Sequence, residues 1–251
     1  MTMTDTAAEV CVVSAATRLR LPALKADAVR LAAEAERSGM THLGFLAELL
    51  ANEVDARVER TKQRRVKEAK FPRLKRLEDF DMAAAPTVNP ATIATLANGQ
   101  YLTTGDPIVL LGDSGTGKSH LLIGLGLAAC AQGKRVRYVT AAALANELAE
   151  AADERQLSRL VARYGRLDLL CLDEVGYMKL DARGAEFVFQ ILTEREERAS
   201  IAVASNLPFS EWGQVFEDPR LVAAIVDRVT FNAHIIETGT NSYRLATTHR
   251  N

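Results

Sequence analysis

The stretch Gly112-Asp113-Ser114-Gly115-Thr116-Gly117-Lys118-Ser119 constrains this chain more than any other, because it meets G-x-x-x-x-G-K-[ST] at every fixed position. Before it runs Pro107-Ile108-Val109-Leu110-Leu111, a short apolar stretch that reads as a buried strand. After it, His120 to Ala129 reads as a helix with an apolar body. Strand, loop and helix together make a phosphate cradle. The glycines let the backbone fold tightly and turn its N–H groups inward, and the helix N-terminus adds partial positive charge. All eight residues are therefore candidate nucleotide contacts. Lys118 is expected to reach the β- and γ-phosphates of ATP, and the Ser119 hydroxyl to bind Mg²⁺. A glycine-rich turn that binds nothing is the bland alternative, and the flanking strand and helix weigh against it.

A second signal lies some fifty residues on. Leu167-Asp168-Leu169-Leu170-Cys171-Leu172 is an apolar strand ended by Asp173-Glu174. Alone, an Asp-Glu pair after a strand is weak; downstream of a complete phosphate loop it is the Walker B arrangement. Asp173 then holds Mg²⁺, directly or through water, and Glu174 polarises the attacking water. Between the two signals, Arg135 to Val139 reads as another strand, and Thr140 caps a long helix through about Ala162. A helix from Asp181 to Arg198 follows, and then the interior strand Ser200 to Ser205. Asn206 at its end is placed to orient the hydrolytic water, as sensor 1 does in AAA+ ATPases; a plain turn Asn is the alternative. This alternation predicts an α/β, three-layer P-loop NTPase core with a mostly parallel sheet and the ligand at the strands' carboxyl ends.

The N-terminal third differs. Met1 to Thr17 has weak patterning and is expected to fray. A helix from Pro22 stops near Gly39, and another from Thr41 carries Leu43, Leu46, Leu50, Val54 and Val58 as an apolar stripe. From Arg57 the chain turns basic: Arg57, Arg60, Lys62, Arg64, Arg65, Lys67, Lys70, Arg73, Lys75 and Arg76 are interrupted only by Glu59 and Glu68. Most charge runs are solvated helix faces. Here ten bases against two acids are too many for i,i+4 pairing to neutralise, so the run reads as a footprint for a polyanion, with nucleic acid the first candidate, contacted at its phosphates. Arg57, Arg60, Lys62, Arg64, Arg65, Lys67 and Lys70 are the candidate contacts. Phe71 to Asp106 reads as a connector, with Asn89-Pro90 capping a short helix. The expected division is a small helical, basic region over 1–75 for DNA or a partner, then an ATPase domain over 76–251.

Composition narrows the rest. The net charge of −1 names no partner by itself, so only the distribution of charge does. Cys11, Cys130 and Cys171 form no C-x-x-C pair, and the four histidines show no ligand spacing, which excludes a zinc ribbon and a disulfide framework. No apolar run reaches membrane-spanning length and no signal peptide is visible, so the expectation is a cytoplasmic protein without membrane contact.

Further motifs carry a resemblance. Asn206-Leu207-Pro208-Phe209-Ser210-Glu211-Trp212, then Phe216 to Leu221, then Asp227-Arg228 and Ser242-Tyr243-Arg244 resemble the IstB-like family, the AAA+ helper ATPases of insertion-sequence transposition. The likeness runs from about Leu21 to Leu245 and extends to the DnaC-like helicase loaders. It implies an ATP-dependent homo-oligomer on DNA that selects or delivers target DNA to a partner transposase. By the same resemblance Arg228 matches the arginine finger and Arg244 matches sensor 2; the bland reading of either is a surface charge or a local salt bridge. Two departures stand out. Only 45 residues follow Asn206, too few for the usual AAA+ helical lid, which is therefore truncated or absent. Glu194-Arg195-Glu196-Glu197-Arg198 is more acidic than the Arg-Tyr-Glu-Arg of the family. No Asp-Asp-Glu nuclease constellation is visible. The functional expectation is a DNA-stimulated AAA+ ATPase regulating transposition; the alternatives are a helicase loader, or a DNA scaffold that holds ATP with little turnover.

Overall fold

The computed structural model describes residues 4–240, 242 and 243. Its centre is a parallel sheet of β1 (Ile108–Leu111), β2 (Val136–Thr140), β3 (Leu169–Val175), β4 (Ser200–Ser205) and β5 (His234–Glu237). The five strands lie in the order β2-β3-β4-β1-β5. β5 is the strand the sequence reading lacked. It pairs along β1, with Val109 opposite Ile235, and so it closes the sheet beyond the phosphate loop.

Side chains alternate across the strands, and each face fills a separate core. Val109, Leu170, Leu172 and Val203 enter a core with α7 (Ala141–Asp153), α8 (Leu157–Gly165), α9 (Ala182–Arg195) and α10 (Pro219–Thr230). Ile108, Leu110, Cys171, Ala202 and Ala204 enter the other, with α4 (Pro90–Ala97), α5 (Tyr101–Thr104) and α6 (Lys118–Ala131). This is a three-layer α/β fold. The long helix expected after β2 is two helices. Thr140 does cap the first, but the chain breaks where Arg155 takes φ 58°, a left-handed value that no α-helix continues through.

The segment 71–106 is not a loose connector. Phe71, Leu77 and Phe80 lie along α6, whose glycines leave room for them: a Cβ at Gly124 would come within 2.5 Å of Leu77, and one at Gly126 within 2.8 Å of Phe71. Val88, Ile93, Leu96, Tyr101 and Leu102 are buried in the same core. Asn89 caps α4 by accepting the Ala91 N–H.

The N-terminal part is helical: α1 (Asp5–Leu19), α2 (Pro22–Arg37) and α3 (His42–Ala69). The expected frayed tail is α1, whose left-handed residue Arg20 stops it and lets α2 fold back. The chain divides into two compact units between Gln63 and Arg64, within α3. The apolar stripe read on α3 is exposed, with Leu43, Leu46, Leu50, Val54 and Val58 between 47 and 75% accessible. The buried face carries Leu49 and Glu53 instead. The Glu53 carboxylate accepts the Ala23 and Leu24 N–H groups, which caps the start of α2 from a neighbouring helix.

Candidate functional site

The phosphate loop leaves β1 at its carboxyl end and feeds directly into α6. Gly112, Gly115 and Gly117 take φ 148°, 87° and 98°, and the last two lie well inside the region that disfavours any residue with a Cβ. Lys118 is 9% exposed, and its Nζ donates to the Gly112 and Asp113 carbonyls at 2.6 and 2.7 Å. The ammonium is thus folded over the loop itself. Thr116 is buried, while Asp113 and Ser114 are exposed at the rim and Ser119 is half-buried in the first turn of α6.

The stretch after β5 braces this loop, a role that no sequence motif announced. Thr238 donates its N–H to the Leu111 carbonyl at 2.7 Å and shares a 2.6 Å hydroxyl contact with Thr116. The Asp113 N–H donates to the Gly239 carbonyl, so this amide points at the brace rather than into the cradle. Tyr243 N–H donates to the Gly115 carbonyl. Phe80 closes over Gly117 and meets the His120 ring edge-on at 5.3 Å.

Asp173 and Glu174 lie at the carboxyl end of β3, inside the strand. The pairing of β3 with β4 slips between Leu172 and Val175, and Glu174 takes φ 60°. Such an irregularity re-aims the side chains it contains, and a non-glycine residue held at this φ is strain of a kind that collects at functional sites. The outcome is two carboxylates with different surroundings: Asp173 is 3% exposed and Glu174 faces solvent. Asp173 Oδ1 accepts the Glu174 N–H, and Oδ2 accepts the Tyr138 hydroxyl at 2.6 Å. Burial, then the bond to Asp173, push the Tyr138 phenol well above its ordinary range, so it is a donor at neutral pH. Asn206 follows β4, the strand beside β3, and its Oδ1 lies over Gly176, 2.8 Å from where a Cβ would sit. The Walker A, Walker B and Asn206 positions therefore share one end of the sheet.

Arg228 lies elsewhere. It is on the last turn of α10, where its guanidinium sits 3.1 Å from Glu196, stacks 4.6 Å over the Phe189 ring and bonds the Ala224 carbonyl. The surrounding cavity, about 230 Å³, is also lined by Asp106, Pro107, Ala199 and Asn232. Those residues precede β1, β4 and β5, so Arg228 is at the amino end of the sheet, away from its own phosphate loop. Arg195 borders the same cavity as a structural clamp, donating to the Tyr164, Leu167 and Ser200 carbonyls. Burial lowers its pKa to about 10, which leaves it charged at neutral pH. Arg244 lies outside the described residues.

Much of the basic run is exposed, Arg57 and Arg60 included, and several of its charges also bond within the protein. Arg60 bonds Glu53 at 2.8 Å, and Arg57 bonds the Arg20 carbonyl. Arg65 is largely covered, donating to the Gly133 carbonyl and to Glu68. Lys62 and Arg64 make only loose pairs, of 3.7 Å with Glu59 and 3.8 Å with Glu68. Arg64, Lys67 and Lys70 are exposed.

The donor set suits ATP with magnesium. An ammonium and a helix N-terminus match phosphate oxygens, and a hydroxyl with one carboxylate matches a hard cation that keeps most of its other ligands from water and phosphate. Among the described residues no cluster of three His, Cys, Asp or Glu offers an all-protein metal cage. No described helix is long and apolar enough to cross a membrane.

Known proteins similar to this chain identify its family and fold. The family model described as IstB-like ATP binding protein matches residues 14–251. A Sinorhizobium fredii protein named as an insertion-sequence ATP-binding protein is 37% identical over 227 residues, 90% of this chain and 76% of that one. The Geobacillus stearothermophilus protein named for ATP binding in insertion sequence IS5376 is 33% identical, over 91% of both chains. Among solved structures, AMPPCP-bound DnaA from Aquifex aeolicus superposes with a TM-score of 0.56 at 25% identity, over 67% of this chain and half of that one. The DnaC helicase loader matches in fold, with a TM-score of 0.50 at 18% identity over 58% of this chain and 86% of its own. With its phosphate loop, Walker B pair and parallel AAA+ sheet, the chain belongs to the family of IstB-like insertion-sequence ATP-binding proteins.

Proposed function

We propose that this protein is a Mg²⁺-dependent, DNA-stimulated ATPase that assembles on double-stranded DNA and regulates a partner transposase by selecting or delivering its target. The observation that carries the reading is the convergence of Lys118, Asp173, Glu174 and Asn206 at one end of the sheet, in a chain whose relatives belong to insertion sequences.

Lys118 swings from the loop carbonyls to the β- and γ-phosphates when nucleotide enters, and the α6 N-terminus supports the same charge. Ser119 and Asp173 would hold Mg²⁺, which would supply positive charge against the phosphates. Glu174, exposed at the strand irregularity, polarises the attacking water, and Asn206 orients it. Arg228 is too far round the sheet to serve its own cradle, which supports a role towards a neighbouring subunit's ATP. The helical region over 1–75 contacts DNA or the transposase, with Arg64, Lys67 and Lys70 among its exposed cations on the phosphate backbone.

The test is ATP turnover by the full chain with and without duplex DNA. Turnover that rises with DNA and is lost in Glu174→Gln is expected. ATP binding with no turnover under either condition would sink the enzymatic reading in favour of a scaffold.

A further inference from the structure

Tyr138 belongs to no motif, yet it touches the central carboxylate of the site. It stands opposite Cys171 in the β2–β3 pairing, so Asp173, two residues further along, projects from the same face of the sheet. Its hydroxyl donates to Asp173 Oδ2 at 2.6 Å, while the Glu174 N–H holds Oδ1 at 2.8 Å. Both oxygens of a carboxylate only 3% exposed are therefore tied by donors from two different strands. The tyrosine ring is itself steadied by Phe71, 6.1 Å between centroids and tilted by 57°.

We infer that Tyr138 is a positioning residue for the metal-binding carboxylate, fixing the rotation of Asp173 so that it is set before the cation arrives. This rests on the reading of Asp173 as a Mg²⁺ ligand. A carboxylate free to turn must be ordered at the moment of binding, whereas one already held by hydrogen bonds is not. Partners of this outer kind change metal affinity by about ten- to a hundredfold when removed. Tyr138→Phe deletes the hydroxyl and keeps the ring against Phe71, so it isolates the bond from the packing.

The experiment titrates the full chain with a fluorescent ATP analogue in EDTA and across a Mg²⁺ series, with thermal unfolding as a check on the fold. In Tyr138→Phe the affinity in EDTA stays within twofold of wild type, while the Mg²⁺ concentration that half-enhances binding rises about tenfold. Asp173→Asn is the reference and loses the Mg²⁺ enhancement. Phe71→Leu loosens the ring but keeps the hydroxyl, and loses less than Tyr138→Phe. An unchanged Mg²⁺ response in Tyr138→Phe beside a lost one in Asp173→Asn overturns the positioning role alone. Retained enhancement in Asp173→Asn overturns the ligand reading, and the inference falls with it. Equal weakening of Tyr138→Phe in EDTA and in Mg²⁺ assigns the residue to structure only, and a larger loss in Phe71→Leu does the same.

Discussion

On the proposed mechanism Lys118 and Glu174 act at different stages of one turnover, so their variants should separate. Lys118 would touch phosphate in the ground state. Removing a charge-assisted bond of this kind costs about 1.5–3 kcal/mol, so Lys118→Ala should weaken ATP binding roughly ten- to a hundredfold. Glu174 acts only as water attacks, and Glu174→Gln should bind ATP normally while turnover falls by about 10²–10⁴. Calorimetric titration beside single-turnover kinetics checks both, and equal loss of binding in the two variants would contradict the division of roles. These residues were legible from sequence because each motif is contiguous: eight residues in a row, or a strand followed by Asp-Glu. Tyr138 was not legible. Its bond to Asp173 depends on the register of two strands 35 positions apart, and no local pattern encodes a register. The same holds for Thr238 and Gly239, which reach the phosphate loop only because β5 lies beside β1.

At the scale of elements, periodicity found most helices but missed α1, ran α7 and α8 together, and misplaced the buried face of α3. The stripe on α3 has the spacing of a packed face and is exposed; the helix buries a face about a quarter turn away, centred on Leu49 and the charged Glu53. A buried glutamate is invisible to any search for apolar stripes. Burial alone would raise the Glu53 pKa, but the Leu24 N–H, Arg60 and the Ala23 N–H together hold it below the ordinary carboxylate value. A carboxyl group whose pKa is lowered by folding contributes stability above its unfolded pKa and loses it as pH falls through the folded one. The N-terminal helices should therefore loosen below about pH 4. Glu53→Ala should cost about 1–3 kcal/mol by leaving the α2 amides and Arg60 without their acceptor. Circular dichroism against pH for both proteins checks this, and an identical acid transition in the two would remove Glu53 from the account. The later part of α3 carries another test. Charge reversal at Arg64, Lys67 and Lys70 should weaken binding to all duplex sequences alike. Each DNA phosphate that these cations no longer neutralise should lower the log–log salt slope by roughly 0.9. Arg65 is left intact because its bonds to Gly133 and Glu68 make it part of the fold. Unchanged affinity and slope would mark this face as merely solvated.

In the whole molecule, the position of Arg228 bears on the proposed action between subunits. A P-loop site alone hydrolyses ATP slowly, because nothing in it offsets the charge that builds on the transferred phosphoryl group. An arginine supplied from outside the site raises the rate by about 10³ or more. Arg228 is at the opposite end of the sheet from its own phosphate loop, so any such action is on another subunit's ATP. In the single chain its guanidinium rests on Phe189 and beside Glu196, and Glu196 falls in the segment that is more acidic than the family's pattern. To reach a neighbour, the side chain must leave these two partners. Arg228→Ala subunits should accordingly bind ATP near-normally and hydrolyse it on the order of a thousandfold more slowly. Mixing them with Glu174→Gln subunits should restore part of the activity, since some interfaces then pair an intact Glu174 with an intact Arg228. DNA should raise wild-type turnover by gathering subunits and should do little for Arg228→Ala alone. Steady-state ATPase measured across mixing ratios distinguishes the cases. A maximum at intermediate ratios requires action between subunits, whereas full activity of Arg228→Ala on DNA would return this arginine to the role its present surroundings describe, a stacked and paired residue that ties α10 to α9.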